Sequence, residues 1–337
     1  MTPMNKGVIR GIMMSLKLGC FVAIGTLAFA NAAMAQPPVE IRMGVGTAAE
    51  EQAWLMKARP DLTPNQNKLY KYTMSMFRSG GERLTAFQAG QLDALTSSTT
   101  GVLFAASKGV PIVVPVSMAR ESTRTFSTSY FALADSDVSV TNLKGKTIGI
   151  NGYRTSIELY ARIAVAKAGL DAERDVKWLI VPLPQMAEAL RQKKIDLGVF
   201  PTTFAYLAIQ AGGVKKVFDS AGISGIEEEF DVAFSPDFIK KHPQAVRGFV
   251  SDFVALTRFF EQKPDEARKS LLDSGIVQAD PKVYLSMTAK NDLLRTAEAT
   301  KPDAEMFARL QDELMKVGFQ EKRVDIKSLV TTDFLPK

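Results

Sequence analysis

The chain has 337 residues, 46% of them hydrophobic, with 42 Lys and Arg against 36 Asp and Glu, one cysteine and one histidine. That length allows two domains with a large buried core. No concentrated Lys/Arg block with interleaved aromatics occurs, so nucleic acid is not the expected partner, and one cysteine excludes an internal disulfide or a multi-cysteine metal site.

Residues 1–35 read as a secretory signal peptide. Lys6, Arg10 and Lys17 form a basic start, residues 18–30 an apolar run too short to span a bilayer comfortably, and Ala33-Met34-Ala35 a small-x-small cleavage site. A lipoprotein reading is weaker, because Cys20 precedes the bulk of the apolar run and Lys17 stands where a lipobox wants an aliphatic residue. Cleavage after Ala35 leaves 302 residues (337 less 35) with no cysteine, an exported chain. Losing three basic residues lowers the formal charge from +6 to +3, a weak bias towards anionic ligands.

Residues 39–47 (Val-Glu-Ile-Arg-Met-Gly-Val-Gly-Thr) predict a first strand leaving into a tight loop, and residues 48–58 a helix. The Gly-x-Gly lacks the third glycine and later acidic partner of a dinucleotide fingerprint. A polar connection at 60–67 leads to a second strand at 68–77, ending at Arg78-Ser79-Gly80-Gly81. A helix from Glu82 places Leu84, Ala86 and Phe87 on one side and stops at Gly90. A brief strand at 92–95 then empties into Thr96-Ser97-Ser98-Thr99-Thr100-Gly101. Capping a helix needs one hydroxyl of that loop, which leaves others to face a ligand. A helix at 102–108 and a strand at 112–116 follow.

Residues 125–134 predict a strand crossing out of this first lobe, before a polar break at 135–137. The stretch 143–161 then delivers a strand (147–150) through Asn151-Gly152 to a helix starting near Thr155 or Ser156. Free N–H groups and the helix dipole favour an anion there, and Arg154 can fork two hydrogen bonds onto a carboxylate or sulfonate. The plainer alternative makes Thr155 or Ser156 only a cap and Arg154 a solvated side chain.

The halves repeat. Shifted by 103 positions, Ala86-Phe87, Leu92-Asp93, Thr99-Thr100, Ala105 and Gly109 fall on Ala189-Leu190, Ile195-Asp196, Thr202-Thr203, Ala208 and Gly212; shifted by 105, Met43-Gly44-Val45 falls on Ile148-Gly149-Ile150. Two similar α/β lobes with mainly parallel sheets follow, the first from residues 36–128 and 231–337, the second from 129–230. Residues 226–234 are the expected return crossover, its Glu227-Glu228-Glu229 a solvated turn. Helices are predicted at 237–242, 243–260, 264–272, 281–291 and 301–317, with Phe249, Phe253, Leu256 and Phe260 a core stripe against the first lobe.

Several of these runs resemble a known family. Phe77-x-Ser79-Gly80, the segment from Leu84 through Ala89-Gly90-x-Leu92-Asp93, and Val113 beyond Gly109-Val110-Pro111 are similar to the first lobe of periplasmic solute-binding proteins of ABC transporters, in the nitrate, sulfonate and taurine class. Leu143-Lys144-Gly145-Lys146-Thr147-Ile148-Gly149 resembles that class's opening of the second lobe, with Asn142 in place of an Asp. Ala166-x-Ala168-Gly169-Leu170 continues the likeness, as do Ala189-Leu190, Ile195-Asp196 and the run from Phe238 through His242-Pro243 to Phe249.

The resemblance implies the type II periplasmic binding protein fold: two α/β lobes joined by two hinge strands, a monomer closing on a small molecule without a cofactor or metal. The molecule would pass to an ABC-type permease with its ATPase. It implies ligand contacts at Gly46, Thr47, Ser79, Gly80, Ser98 and Thr99 in the first lobe, and at Tyr153, Arg154, Thr155, Ser156 and Thr202, with Thr203 beside it, in the second. Relatives carry an Asp where this chain has residues 96–100 without a carboxylate, which argues against a cationic ligand. Arg154 stands where relatives place Ser or Gly, and Tyr153 adds a ring and a hydroxyl. The expected ligand is a small organic anion, carboxylate or sulfonate, with an apolar or aromatic body. The lone His242 lies outside every expected cleft loop, so no catalysis is expected, and a related branch that makes a thiamine pyrimidine with a histidine and pyridoxal phosphate is disfavoured. A binding protein of a tripartite ATP-independent transporter, or one serving a sensor, would share the fold.

Overall fold

Val39–Val45 forms the first strand, β1, with Ile41, Met43 and Val45 fully buried. The computed structural model describes residues 37–121, 128–225, 228–286 and 295–337. The signal peptide reading and residues 125–127 of the expected first crossover lie outside the described residues. After β1 come α1 (Glu51–Ala58), β2 (Tyr70–Met76), α2 (Gly80–Gln88), β3 (Ala94–Ser98), α3 (Thr99–Ser107), β4 (Val113–Arg120) and β5 (Ser129–Leu133). The chain continues through β6 (Thr147–Ile150), α4 (Ser156–Lys167), β7 (Lys177–Ile180), α5 (Met186–Arg191), β8 (Leu197–Phe200), α6 (Thr202–Ala211), β9 (Val214–Asp219), α7 (Ser220–Ser224) and β10 (Glu228–Phe234). Helices complete it: α8 (Pro236–Lys241), α9 (Pro243–Gln262), α10 (Pro264–Asp273), α11 (Pro281–Ser286), α12 (Ala304–Lys316) and α13 (Ile326–Leu329).

The strands form two five-stranded sheets of matching order, β2-β1-β3-β10-β4 and β7-β6-β8-β5-β9. In the first, β1 runs parallel to β2 and β3, and β10 lies antiparallel between β3 and β4. In the second, β6 is parallel to β7 and β8, and β5 lies antiparallel between β8 and β9. Each antiparallel strand is the first one reached after the chain leaves the other sheet, so the crossovers are built into the lobes they join. This is a two-lobed α/β fold with mainly parallel sheets, as the internal repeat implies.

Two local expectations are corrected. Glu228 and Glu229 are strand residues and buried, at 0% and 2% exposure, and do not form a solvated turn; Glu227 lies outside the described residues. Register explains it: Glu228 pairs opposite Arg120, whose Nη2 lies 3.0 Å from Glu228 Oε1, and Glu229 meets hydroxyls of α4. The second correction concerns the hydroxyl run. β3 pairs with β10 as far as Ser98, whose Oγ accepts the Gly101 N–H at 3.2 Å as the cap of α3. Strand therefore passes into helix with no loop between them, and in the second lobe α6 likewise starts at Thr202.

Pro243 opens α9, where its missing N–H costs no intrahelical bond. Phe249, Phe253, Leu256 and Phe260 are buried along one side, and Phe249 meets Tyr70 and Phe234 edge-on at 5.9 and 5.4 Å between ring centres. The stripe thus packs on the first sheet as expected. His242 ends α8 and lies 5.0 Å from the Phe238 ring. Beyond α12 the chain passes Phe319, which meets Phe104 of α3 edge-on at 6.3 Å, and Val330 forms a parallel bridge to Val114.

Candidate ligand-binding cleft

The carboxyl ends of the parallel strands deliver their chains to helix N-termini, and in this fold those ends face one cleft of about 320 Å³. The caps of five helices line it: Glu50 of α1, Ser79 of α2, Ser98 of α3, Thr155 of α4 and Pro201 of α6. Both crossovers contribute, through Thr128 on one side and Glu229 and Phe230 on the other. A volume of this size holds a small molecule.

In the first lobe the wall is built on a buried ion pair. Glu50 Oε1 accepts from Arg83 Nη1 at 2.8 Å, Glu50 Oε2 accepts the Gly46 N–H at 2.7 Å, and both partners are almost fully buried. Thr96 Oγ1 donates to Glu50 Oε2 and receives Arg83 Nη1 at 2.7 Å. A Cβ at Gly46 would stand 2.5 Å from Glu50 Oε1, so glycine is what lets the loop after β1 close over this carboxylate. Arg83 Nε is buried without a partner among the described residues.

Ser79 and Ser98 accept the Glu82 and Gly101 N–H groups with a lone pair, which leaves each hydroxyl hydrogen able to donate into the cleft. Thr155 is more fully used: Oγ1 accepts from the Glu158 N–H and donates to Gly152 O at 3.0 Å. Glu158 Oε2 reaches back to accept the N–H of Arg154, one residue before the cap, at 2.6 Å, which occupies part of the α4 terminus with the chain's own carboxylate.

Arg154 has φ +61°, a left-handed conformation unusual for a side-chain-bearing residue. Its guanidinium lies 5.1 Å from the Phe104 ring centre and 4.8 Å from that of Phe319, with Nη1 donating to Phe319 O at 3.3 Å. A second-lobe arginine therefore reaches across the cleft edge and rests between two first-lobe rings. Neither Arg154 nor Arg78 makes an ion pair among the described residues. Apolar walls come from Phe77, Leu84, Phe104, Ile157, Leu183 and Phe230, and Tyr153 stands half exposed at the rim.

The carboxyl groups at the crossovers are buried among one another, which disfavours their charged forms. Burial, then the nearby Glu121, pushes Glu229 well above the usual carboxylate range; burial, then Glu228, does the same to Asp231.

Of the residues expected at the ligand, Gly46, Thr47, Ser79, Gly80, Ser98, Tyr153, Arg154, Thr155 and Ser156 are brought together around this cleft. Thr99 is not: it is fully buried and its hydroxyl donates to Asp231 Oδ2 at 2.7 Å. The side chain of Thr202 lies outside the described residues. Arg78, Arg83, Glu50, Phe104 and Glu229 also line the cleft, although none of them was expected at the ligand. For Arg83 a signal exists, since an arginine at i, i+3, i+4 spacing with Ala86 and Phe87 lies on the buried side of α2.

The same architecture occurs in the periplasmic aliphatic sulphonate binding protein SsuA of Escherichia coli, at 16% identity and TM-score 0.69, covering 87% of this chain and 92% of that one. It occurs in the alkanesulfonate-binding protein SsuA of Xanthomonas axonopodis pv. citri bound to MOPS, at 18% identity and TM-score 0.70, covering 88% and 99%. The periplasmic nitrate-binding protein NrtA of Synechocystis PCC 6803 shares it at 11% identity and TM-score 0.69, covering 88% of each chain. At these identities the likeness is one of fold. No curated protein matches the sequence. The sequence profile of the NMT1-like family matches residues 34–272, well over half of the chain, and the protein belongs to that family.

Proposed function

We propose that this protein is an extracytoplasmic solute-binding protein that closes its two lobes on a small organic anion and hands it to an ABC-type permease. The observation that carries the reading is the charge balance of the cleft. Arg78 and Arg154 line it with no carboxylate partner among the described residues, Glu50 is paired with Arg83, and Glu229 is held towards its neutral form. Helix N-termini from both lobes add partial positive charge and N–H donors. The surrounding Phe77, Leu84, Phe104, Ile157 and Leu183 suit an apolar body behind the acidic group, in a space for a small molecule only.

Sulfonate-binding and nitrate-binding proteins share the fold, which favours this class without fixing the ligand. The lone His242 packs at the α8–α9 junction away from the cleft, in keeping with capture rather than catalysis. Calorimetric titration of the purified protein against aliphatic and aromatic sulfonates and carboxylates tests the proposal. At least one acid should bind with a 1:1 stoichiometry; binding of organic cations with none of the acids bound would sink it.

A further inference from the structure

Glu229, near the start of β10, is with Glu50 one of two acidic residues that line the cleft among the described residues. It is 2% exposed, its Oε1 lies 2.5 Å from Ser156 Oγ and its Oε2 accepts from Tyr160 Oη at 2.7 Å. Ser156, the first residue of α4, is itself 3% exposed and lines the same wall. Among the described residues the other titratable groups facing Glu229 are Glu121 just past β4, Asp231 two residues along β10, and Tyr130 of β5. Arg120, the nearest cation on these strands, is spent on Glu228, and no lysine or arginine pairs with Glu229 among the described residues.

A hydroxyl has one hydrogen to give. If Glu229 were ionised, both its oxygens would be acceptors, Ser156 would have to point its hydrogen at Oε1, and a bare negative charge would stand on the cleft wall. If Glu229 keeps its proton, the carboxylic acid can be the donor in the contact with Ser156, while Tyr160 still donates to the other oxygen. The Ser156 hydrogen is then released. Both groups remain satisfied, as buried polar atoms must be.

We propose that Glu229 works in the cleft as a carboxylic acid that donates to Ser156 Oγ and so turns the Ser156 hydroxyl hydrogen towards the acidic group of the ligand, making anion capture depend on one proton held by Glu229. The inference rests on the anion reading above. Burial of Glu229 and the neighbouring Glu121 both work in its favour by resisting a second negative charge. Ionisation removes a donor and adds a like charge beside the bound anion, so affinity falls as pH rises.

The test uses benzenesulfonate and hexanesulfonate, which stay ionised throughout, titrated into the protein between about pH 5.5 and about pH 8.5. Kd is expected to weaken by roughly tenfold per pH unit once Glu229 titrates. Glu229→Gln, uncharged at every pH and able to donate from its amide, should bind the sulfonates with a flat profile. Ser156→Ala, which keeps the acid but removes the relay, should bind more weakly at the acid end and keep only the part of the slope that comes from the like charge; it also serves if the first variant does not fold. Equal affinity of wild type and Ser156→Ala at the acid end, or a full slope retained in both variants, overturns the proposal while leaving the anion reading intact. Failure of both sulfonates, and of every other acid, at all pH values overturns both.

Discussion

Arg154 holds an unusual backbone and an exposed charge at the same place. Its φ of +61° costs about 1–2 kcal/mol for a residue with a Cβ, yet that conformation aims its N–H at Glu158 and sends its side chain between Phe104 and Phe319. The guanidinium lies over the two rings and, among the described residues, only Nη1 donates, to the Phe319 carbonyl, which leaves other N–H groups for a carboxylate or sulfonate. Arg154→Ala is expected to weaken binding of an organic acid by about 1.5–3 kcal/mol in a calorimetric titration. Arg154→Gly should bind as weakly but resist urea better than the alanine variant, by about 1 kcal/mol, because glycine accepts the left-handed backbone. Equal affinity of wild type and both variants would confine Arg154 to bridging the lobes.

At the scale of elements, what the sequence made readable was whatever is decided within a few residues. The strand Thr147–Ile150, the turn at Asn151-Gly152 and a helix capped at Thr155 follow from local signals, and all three occur. The helix α9 was readable for the same reason: an apolar stripe at helical spacing has to be covered. Because Phe249 is fully buried against Tyr70, Phe234 and Phe253, Phe249→Ala should cost about 3–5 kcal/mol in denaturant unfolding, whereas truncating the exposed Leu207 of α6 should cost far less. Unreadable were groups whose partners lie far along the chain. Thr96 and Thr99 look like ligand donors until the fold brings Glu50 and Asp231 to them, and Glu229 looks solvated until α4 supplies Ser156 and Tyr160. The cleft was therefore foreseen as a set of loops, but its charge balance was not, since that depends on which carboxyls end up paired or buried.

Taken as a whole, the molecule concentrates buried acid where its lobes meet. Glu121 accepts the Thr128 N–H and hydroxyl in the first crossover, while Glu228, Glu229 and Asp231 begin the strand that follows the second. Burial, opposed by its hydroxyl and N–H partners, raises Glu121 to about 7, and Glu229 and Asp231 are likewise raised, by burial and by neighbouring carboxyls. The folded state then holds protons that the unfolded chain releases near the ordinary carboxylate range, so stability falls as pH rises from about 4.5 through the raised values. Surface carboxylates such as Asp61, Asp137 and Asp171 are shifted the opposite way, but they are exposed and their contributions are screened and already complete above about pH 4. The ligand-free protein should accordingly melt several degrees higher at about pH 5 than at about pH 8, and Glu121→Gln should reduce that difference, because an amide in the same position has no proton to release. A melting temperature that climbs steadily from the acid to the alkaline end would mean that these carboxyls are ionised in the folded protein, and the hinge would then have to hold several adjacent buried charges with only Arg120 as an identified cation beside them.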